Sequence, residues 1–290
     1  MKSLTNKVVA ITGASSGIGR ELAIQLANQG CHLALSDINQ EGLEETVKKI
    51  SEDVNITTDI VNVADQAQVH DWADRVVLEH GGVDVIINNA GLTAQASIED
   101  FSYEDFDAVF NVVFYGVLYG TKAFLPHLRL RPEGHVVNIS SVNGFFPFPA
   151  GAPYNCAKHA VKALNQTLMQ ELAFTDQNIH VTSVHPGGIK TNIARSAKVV
   201  KPFHEGMDLS PEEAATQFDK MATTTAEKAA AIIIRGILKD KKRLLVGIDA
   251  YIIDILTRLF PQGFSTFVGK LYLAGAKPRN SKYKEQTINR

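Results

Sequence analysis

The sequence predicts an α/β fold: a doubly wound parallel sheet of about seven strands with helices on both faces, followed by a C-terminal helical extension. Two observations carry that reading. Short β-branched runs alternate with longer amphipathic runs from the first residues onward, the pattern of a parallel sheet whose strands are joined by helices. A length of 290 residues, 45% of them hydrophobic and 21% charged, suffices for one such sheet around a single core, or for a domain with a short appendage.

The elements follow in order. KVVAIT opens the first strand, a helical period runs over 17–29, HLALS is the second strand, and a second helix covers 40–51. NITTD, a helix over 65–80 and DVIINN continue the alternation. The helical period resumes from Asp105 to about residue 130, GHVVNIS forms a fifth strand, and a long helix spans 153–174. IHVTSVHP is the sixth strand and RLLVG, 243–247, the seventh. Regularity weakens over 190–225, where helix formers mix with Pro202 and Pro211. A long irregular insertion directly after a strand end reads as a lid.

The totals narrow the function classes. A net charge of −2 gives no long-range attraction to nucleic acid or anionic membrane, so a small-molecule partner is expected. Cys31 and Cys156 are too few for a disulfide framework or thiolate metal site, which suits a reducing cytoplasm. The nine histidines are scattered without HExxH or similar spacing, so no metal is expected. The first residues lack the apolar core of a secretory signal. Near the C-terminus the longest uncharged run, 259–269, has 11 residues, against roughly 20 for a bilayer span. No transmembrane helix is expected.

The first strand ends in TGASSGIGR, with glycines at 13, 17 and 19. This GxxxGxG spacing differs from GxGxxG but meets the same need: a tight strand-to-helix turn that lets a pyrophosphate approach the backbone at a helix N-terminus. Glycines alone also fit a plain structural turn. Asp37, at the end of ALSD and 24 residues after Gly13, can accept from both adenosine ribose hydroxyls and repels a 2′-phosphate. Ser16 and Ile38 supply no cation for that phosphate, so NAD is favoured over NADP. The alternative for Asp37 is a helix N-cap. Asp59 and Ile60 close the third strand and Asn88, Asn89, Ala90 and Gly91 the fourth. All four features fall at the carboxyl ends of parallel strands, where ligands gather.

In this order, TGASSGIG, NNAG, Asn111, the serine pair of NISSVNG, YNCAK and PGGIKT make the chain similar to the short-chain dehydrogenase/reductase family of NAD(P)-dependent oxidoreductases, over about 7–247. The resemblance implies a Rossmann-type fold with a seven-stranded sheet, and dimers or tetramers built through helices. It places the family's catalytic serine on Ser141, thirteen residues before the tyrosine, its tyrosine and lysine on Tyr154 and Lys158, and its asparagine on Asn111. It also implies cofactor contacts from Gly13, Ser15, Ser16, Gly17, Ile18, Gly19, Asn89, Ala90 and Gly91. The loop with Pro186, Gly187 and Ile189 is implied near the nicotinamide amide, and Thr191 near the amide or pyrophosphate. Domain organisation is expected as one unit: a dehydrogenase domain over 1–247, with 248–290 forming helices and a basic tail within the same domain.

The chemistry explains the pairing in YNCAK. A phenol with pKa near 10 is a poor base at neutral pH, and a lysine one helical turn away is expected to favour phenolate. Tyr154 is thus the expected general acid/base. Lys158 lowers its pKa and, by the resemblance, holds the nicotinamide ribose. Ser141 donates to the substrate oxygen, and Asn111 binds a relay water. In isolation, such a tyrosine and lysine would merely share a helix surface, and Ser141 would cap a turn. His185, beside the PGG loop, reads as structural.

Pocket walls are expected from 92–97, 142–151 and the lid. Phe145, Phe146, Phe148, Val199, Val200 and Phe203 suggest a bulky apolar alcohol or ketone, although the phenylalanines could simply pack their loop. Arg195, Lys198 and Lys201 could meet a charged substrate handle or be a solvated face. In the tail, Ile252, Ile255, Leu256 and Leu259, then Phe264, Phe267, Val268 and Leu271, keep helical spacing. Two amphipathic helices hinged at Pro261 could cap the pocket, join a subunit interface or lie on a membrane; burial within the protein or oligomer is expected. The leading function is interconversion of a secondary alcohol and a ketone. The alternatives are a non-catalytic nucleotide-sensing scaffold and an isomerase or dehydratase of related fold.

Overall fold

The computed structural model describes residues 1–51, 53–193, 197–200, 216 and 222–275. Most of the lid, including Arg195, Lys201 and Phe203, and the basic tail lie outside the described residues, as does the side chain of Leu271.

Seven parallel strands form the sheet: β1 (Val8–Thr12), β2 (His32–Asp37), β3 (Ile56–Ile60), β4 (Val85–Asn88), β5 (Gly134–Ile139), β6 (Ile179–Pro186) and β7 (Arg243–Val246). Their order is β7-β6-β5-β4-β1-β2-β3, so the chain reverses direction across the sheet between β1 and β4, and a crevice opens there. The register pairs Val9 with Leu33 and with Val85. Successive side chains of β1 point to opposite faces: Val9 and Ile11 join Leu22, Leu26 and Ile233 on one side. Val8 and Ala10 join Trp72, Ile86 and Phe124 on the other. The Trp72 and Phe124 rings meet edge to face at 5.0 Å.

Helices α1 (Gly17–Ala27), α2 (Gln40–Lys48), α3 (Gln66–His80), α4 (Tyr103–Phe110), α5 (Gly116–Arg129) and α6 (Ala152–Thr175) fill the expected places. A helix that the sequence reading omitted, α7 (Ala226–Leu238), packs its Ala229, Ala230, Ile233 and Ile237 into the first core. The Thr225 hydroxyl caps it by accepting from the Lys228 N–H.

Between α4 and α5 runs a π-helical turn, Asn111–Tyr115. The continuous helix Tyr103–Arg129 is long and apolar enough to cross a bilayer, with a mean hydropathy of 1.4 over its most apolar stretch. In this fold its Val109, Val113, Val117, Phe124 and Leu128 are buried in the protein.

Beyond β7 lie α8 (Ile248–Leu259) and α9 (Pro261–Gly275), broken at Pro261 as predicted. Arg243 and Arg258 both donate to Asp254, and the Phe264 ring meets Phe146 at 4.6 Å. Within the single chain the outer side of α8 is open: Ile252, Ile255 and Leu259 of the predicted stripe, together with Ile248 and Tyr251, are each at least half exposed, while Leu256 is partly buried. The inward side of α8 instead carries Ala250, Ile253 and Asp254.

Candidate active site

The turn after β1 has glycines because nothing else fits. Gly13 has φ +68°, and a Cβ there would lie 2.8 Å from Ala90 Cα; one on Gly19 would lie 2.1 Å from the Gly13 carbonyl oxygen. Asn89 holds the opposite lip, its amide donating to the Thr12 and Gly13 carbonyls at 3.0 and 3.1 Å. Its backbone N–H and that of Ala90 donate to the Thr12 hydroxyl. The start of α1 has an exposed Ser16 without a side-chain cap bond and no acidic residue in the first turn. Its N–H groups and dipole therefore form a cradle suited to an anionic pyrophosphate. Thr191 comes against this loop: a Cβ on Gly17 would lie 3.2 Å from its methyl carbon.

Asp37 accepts from the Ser15 N–H and the Asn39 N–H, each at 3.0 Å. The N-cap of α2 is Asn39, not Asp37, since its side chain accepts from the Gly42 N–H. Ile38 and Ile60 are 71% and 53% exposed at the strand ends. Asp59 is bound by Arg75 Nε at 2.9 Å.

The Tyr154–Lys158 end is assembled by β5 and the first turns of α6. Lys158 Nζ donates to the Ile139 carbonyl at 2.7 Å, and the Ser140 hydroxyl donates to the Lys158 carbonyl at 3.0 Å. The ammonium lies 5.4 Å from the Tyr154 ring centroid. Ser141 heads a short 3-10 turn, Val142–Gly144, with its hydroxyl accepting from the Asn143 N–H at 3.1 Å. Asn111 sits where α4 becomes π-helical and its carbonyl accepts from the Gly116 N–H. Such single π turns break the regular ladder and are frequent at functional sites.

Electrostatics correct one expectation. Burial pushes the Tyr154 phenol up to about 12, with hydrogen bonding from the Ser141 hydroxyl acting against it. Burial alone pushes Lys158 down to about 7. Desolvation thus outweighs the lysine's attraction for a phenolate in the protein by itself.

The loop after β6 is tied to the C-terminal extension. Gly187 N–H donates to the Val246 carbonyl at 2.9 Å, and Gly188 N–H to Asp249 Oδ2 at 2.6 Å. Asp249 was not singled out from the sequence, where it is one acid in an amphipathic helix. Among the described residues of the segment expected to be a lid, Ile189–Lys190 pairs with Thr224–Thr225, and Lys198–Val199 with Ala94–Gln95. Lys198 also binds Asp105 at 2.7 Å, which accounts for one of the predicted lid cations. The loop phenylalanines turn inward: Phe146 is 3% exposed and packs on Phe148 and Phe264. Phe145 meets His185 at 5.4 Å.

Residues 7–200 match the model of the family described as short chain dehydrogenase. A Mycobacterium tuberculosis protein named as an oxidoreductase, SadH, is 38% identical over 270 residues, covering 92% of this chain and 96% of the relative. The 3-oxoacyl-[acyl-carrier-protein] reductase FabG of Thermotoga maritima is 37% identical over 190 residues, 65% of this chain and 76% of that protein. A short-chain dehydrogenase/reductase from Burkholderia phymatum, solved in complex with NAD, superposes with a TM-score of 0.79 at 26% identity, covering 97% of this chain and 100% of that one. The crevice and its glycine cradle thus have the same ancestry as the sequence around them, and the chain belongs to the short-chain dehydrogenase/reductase family as an NAD(P)-dependent oxidoreductase acting on CH–OH groups.

Proposed function

We propose that the chain interconverts a secondary alcohol and a ketone of bulky apolar character, with NAD as the preferred cofactor. The observation that supports it best is the convergence of Ser141, Tyr154 and Lys158 after β5, in the parallel sheet whose β1 carboxyl end carries the glycine cradle. Tyr154 holds the proton that the substrate oxygen gains or loses; Ser141 orients that oxygen; Lys158 and Asn111 connect the phenol to solvent. When bound, the dinucleotide supplies or accepts the hydride. Gly13, Ser15, Ser16, Gly17, Ile18, Gly19 and Thr191 would hold its pyrophosphate. Asp37, Ile38, Asp59 and Ile60 would hold the adenosine. Asn89, Ala90, Gly91, Pro186, Gly187, Ile189 and Lys158 would hold the nicotinamide half.

Preference for NAD rests on Asp37, whose charge opposes a 2′-phosphate, and the NAD complex of the Burkholderia phymatum structure points the same way. The apolar substrate rests on the surroundings of Tyr154, which packs, as Leu92, Phe110 and Phe114 do, against the cluster of Ala94, Val109, Val113 and Ala157. FabG, by name a 3-oxoacyl reductase, lends a carbonyl as the acceptor. Residues 1–290 act as one domain in a reducing compartment, assembled into a homodimer or homotetramer through helices. The outer stripe of α8 is assigned to contact within that oligomer. Spectrophotometric NADH turnover with a panel of hydrophobic and small polar alcohols and ketones tests the reading. Turnover confined to small polar alcohols would remove the apolar substrate, and full activity of Tyr154→Phe would remove the proton carrier.

A further inference from the structure

Five buried polar side chains form a line between the sheet and α6. Asn88 Nδ2 lies 2.7 Å from Asn138 Oδ1, and Asn138 Nδ2 lies 2.6 Å from Asn165 Oδ1. Asn165 Nδ2 lies 2.9 Å from Ser183 Oγ, and that oxygen 3.0 Å from His185 Nε2. His185 Nδ1 ends the line 3.2 Å from the backbone carbonyl of Ser141. Asn88, Asn138, Asn165, Ser183 and His185 are all at most 4% exposed, too deep for water to replace a lost bond.

The direction of every bond follows from the Ser141 end. A carbonyl only accepts, so His185 Nδ1 must carry a proton. A buried imidazole is neutral, and burial holds its pKa down to about 4, so Nε2 is a bare acceptor. Ser183 therefore donates to Nε2 and must accept from Asn165, which fixes the amides of Asn165, Asn138 and Asn88 in turn. Asn88 Oδ1, at the far end, is buried without a partner. Aligned donors polarise one another.

We infer that His185 is a positioning residue: its Nδ1–H tautomer, imposed by Ser183 and the asparagine line, holds the Ser141 carbonyl and so sets the 3-10 turn that aims the Ser141 hydroxyl. The same carbonyl accepts from the Gly144 N–H at 3.0 Å, which closes that turn. The inference rests on Ser141 as the residue meeting the substrate oxygen.

The test joins a spectrum to kinetics. Long-range ¹⁵N–¹H correlation on the labelled full chain should show His185 protonated at Nδ1 and bare at Nε2 between pH 6 and 8; the opposite tautomer overturns the inference. Ser183→Ala removes the donor to Nε2, and kcat should fall about tenfold through misplacement of the active-site serine, with KM and NAD(H) affinity nearly unchanged; Tm should also fall, because Asn165 Nδ2 and His185 Nε2 are left buried without a partner. His185→Asn keeps a donor toward Ser141 and should stay within about threefold of wild type, while His185→Leu should lose at least as much as Ser183→Ala. Unchanged kcat in Ser183→Ala, or equal kcat in the two His185 variants, overturns it. If His185→Leu does not fold, the spectrum and Ser183→Ala decide. Full activity of Ser141→Ala would remove the role of Ser141 itself while leaving the tautomer assignment intact, so the two failures are distinct.

Discussion

Lys158 Nζ lies 5.4 Å from the Tyr154 ring centroid and is anchored on the Ile139 carbonyl, so the cation is held beside the phenol without being free to approach it. With Tyr154 up at about 12 and Lys158 down at about 7, the protein by itself keeps the phenol protonated. Carbonyl reduction needs that proton, and alcohol oxidation needs its absence. Initial rates should therefore be nearly level for reduction from pH 6 to 8, and should climb with pH for oxidation. Oxidation that slows as pH rises over this range would show that Tyr154 is not the group exchanging the proton.

The same burial gives a stability signature. Lys158 takes up a proton at its ordinary 10.5 when unfolded but only below about 7 when folded. Between these values the unfolded chain binds more protons, so this group makes the protein more stable as pH rises. Tyr154 acts oppositely above pH 10, where the folded chain keeps its proton up to about 12. In Lys158→Met the first slope disappears: relative to wild type, its Tm advantage should be largest near pH 7 and shrink toward pH 10. A Tm difference independent of pH would mean that the ammonium is solvated.

Asp37 couples cofactor choice to the local backbone, since it accepts from Ser15 and Asn39. Asp37→Ala removes the ribose acceptor and the charge that repels a 2′-phosphate. The ratio of NADP to NAD dissociation constants should fall at least about tenfold, ~1.4 kcal/mol, by titration of nucleotide fluorescence. Parallel weakening of both nucleotides would assign Asp37 to holding the turn alone.

Much of this was legible in the sequence because chemistry restricts it to few residue types. Gly13 and Gly19 are required by backbone contact, and the proposed proton transfer restricts positions 154 and 158 to few residue types, so order and spacing reveal them. Burial is less visible. The spacing of Ile252, Ile255 and Leu259 is the same for a buried and an exposed stripe, and only contact with the 142–148 loop shows which side of α8 faces in. The direction of the Tyr154 shift was missed for the same reason, because a sequence shows the neighbouring charge but not the lost water. Asn138 and Ser183 lie within predicted strands and Asn165 within a predicted helix, and only the packing of α6 on the sheet brings them into line. Helix α7 was hidden by the irregular stretch before it.

The glycine cradle gives a contrast between two glycines. In Gly19→Ala the new methyl meets backbone, 2.1 Å from the Gly13 carbonyl oxygen, which cannot swing aside. Overpacking of this kind costs about 1–3 kcal/mol, and the displaced turn should also lose nucleotide affinity. In Gly91→Ala the methyl would approach only the Asn89 carbonyl, at 3.9 Å, so unfolding free energy should stay within about 0.5 kcal/mol of wild type. Urea denaturation of both variants checks this; equal loss in the two would show that the turn yields more than its contacts allow.

The outer stripe of α8 completes the set. Both acids of this helix turn inward, Asp249 to the Gly188 N–H and Asp254 to Arg243 and Arg258, leaving Ile248, Tyr251, Ile252, Ile255 and Leu259 as a continuous apolar surface. Such a surface is costly in water, since burying each large side chain is worth about 1.5–3 kcal/mol, so a subunit partner there is a gain that a charge would cancel. The double variant Ile252→Glu, Ile255→Glu should keep the wild-type circular-dichroism spectrum, because neither residue packs inside the chain, and should have a smaller mass by light scattering than wild type, with Tm lowered only by the lost subunit contact. An unchanged mass with loss of vesicle co-sedimentation would move the stripe from a subunit contact to a lipid surface. Loss of the folded circular-dichroism spectrum would place these side chains in the core instead.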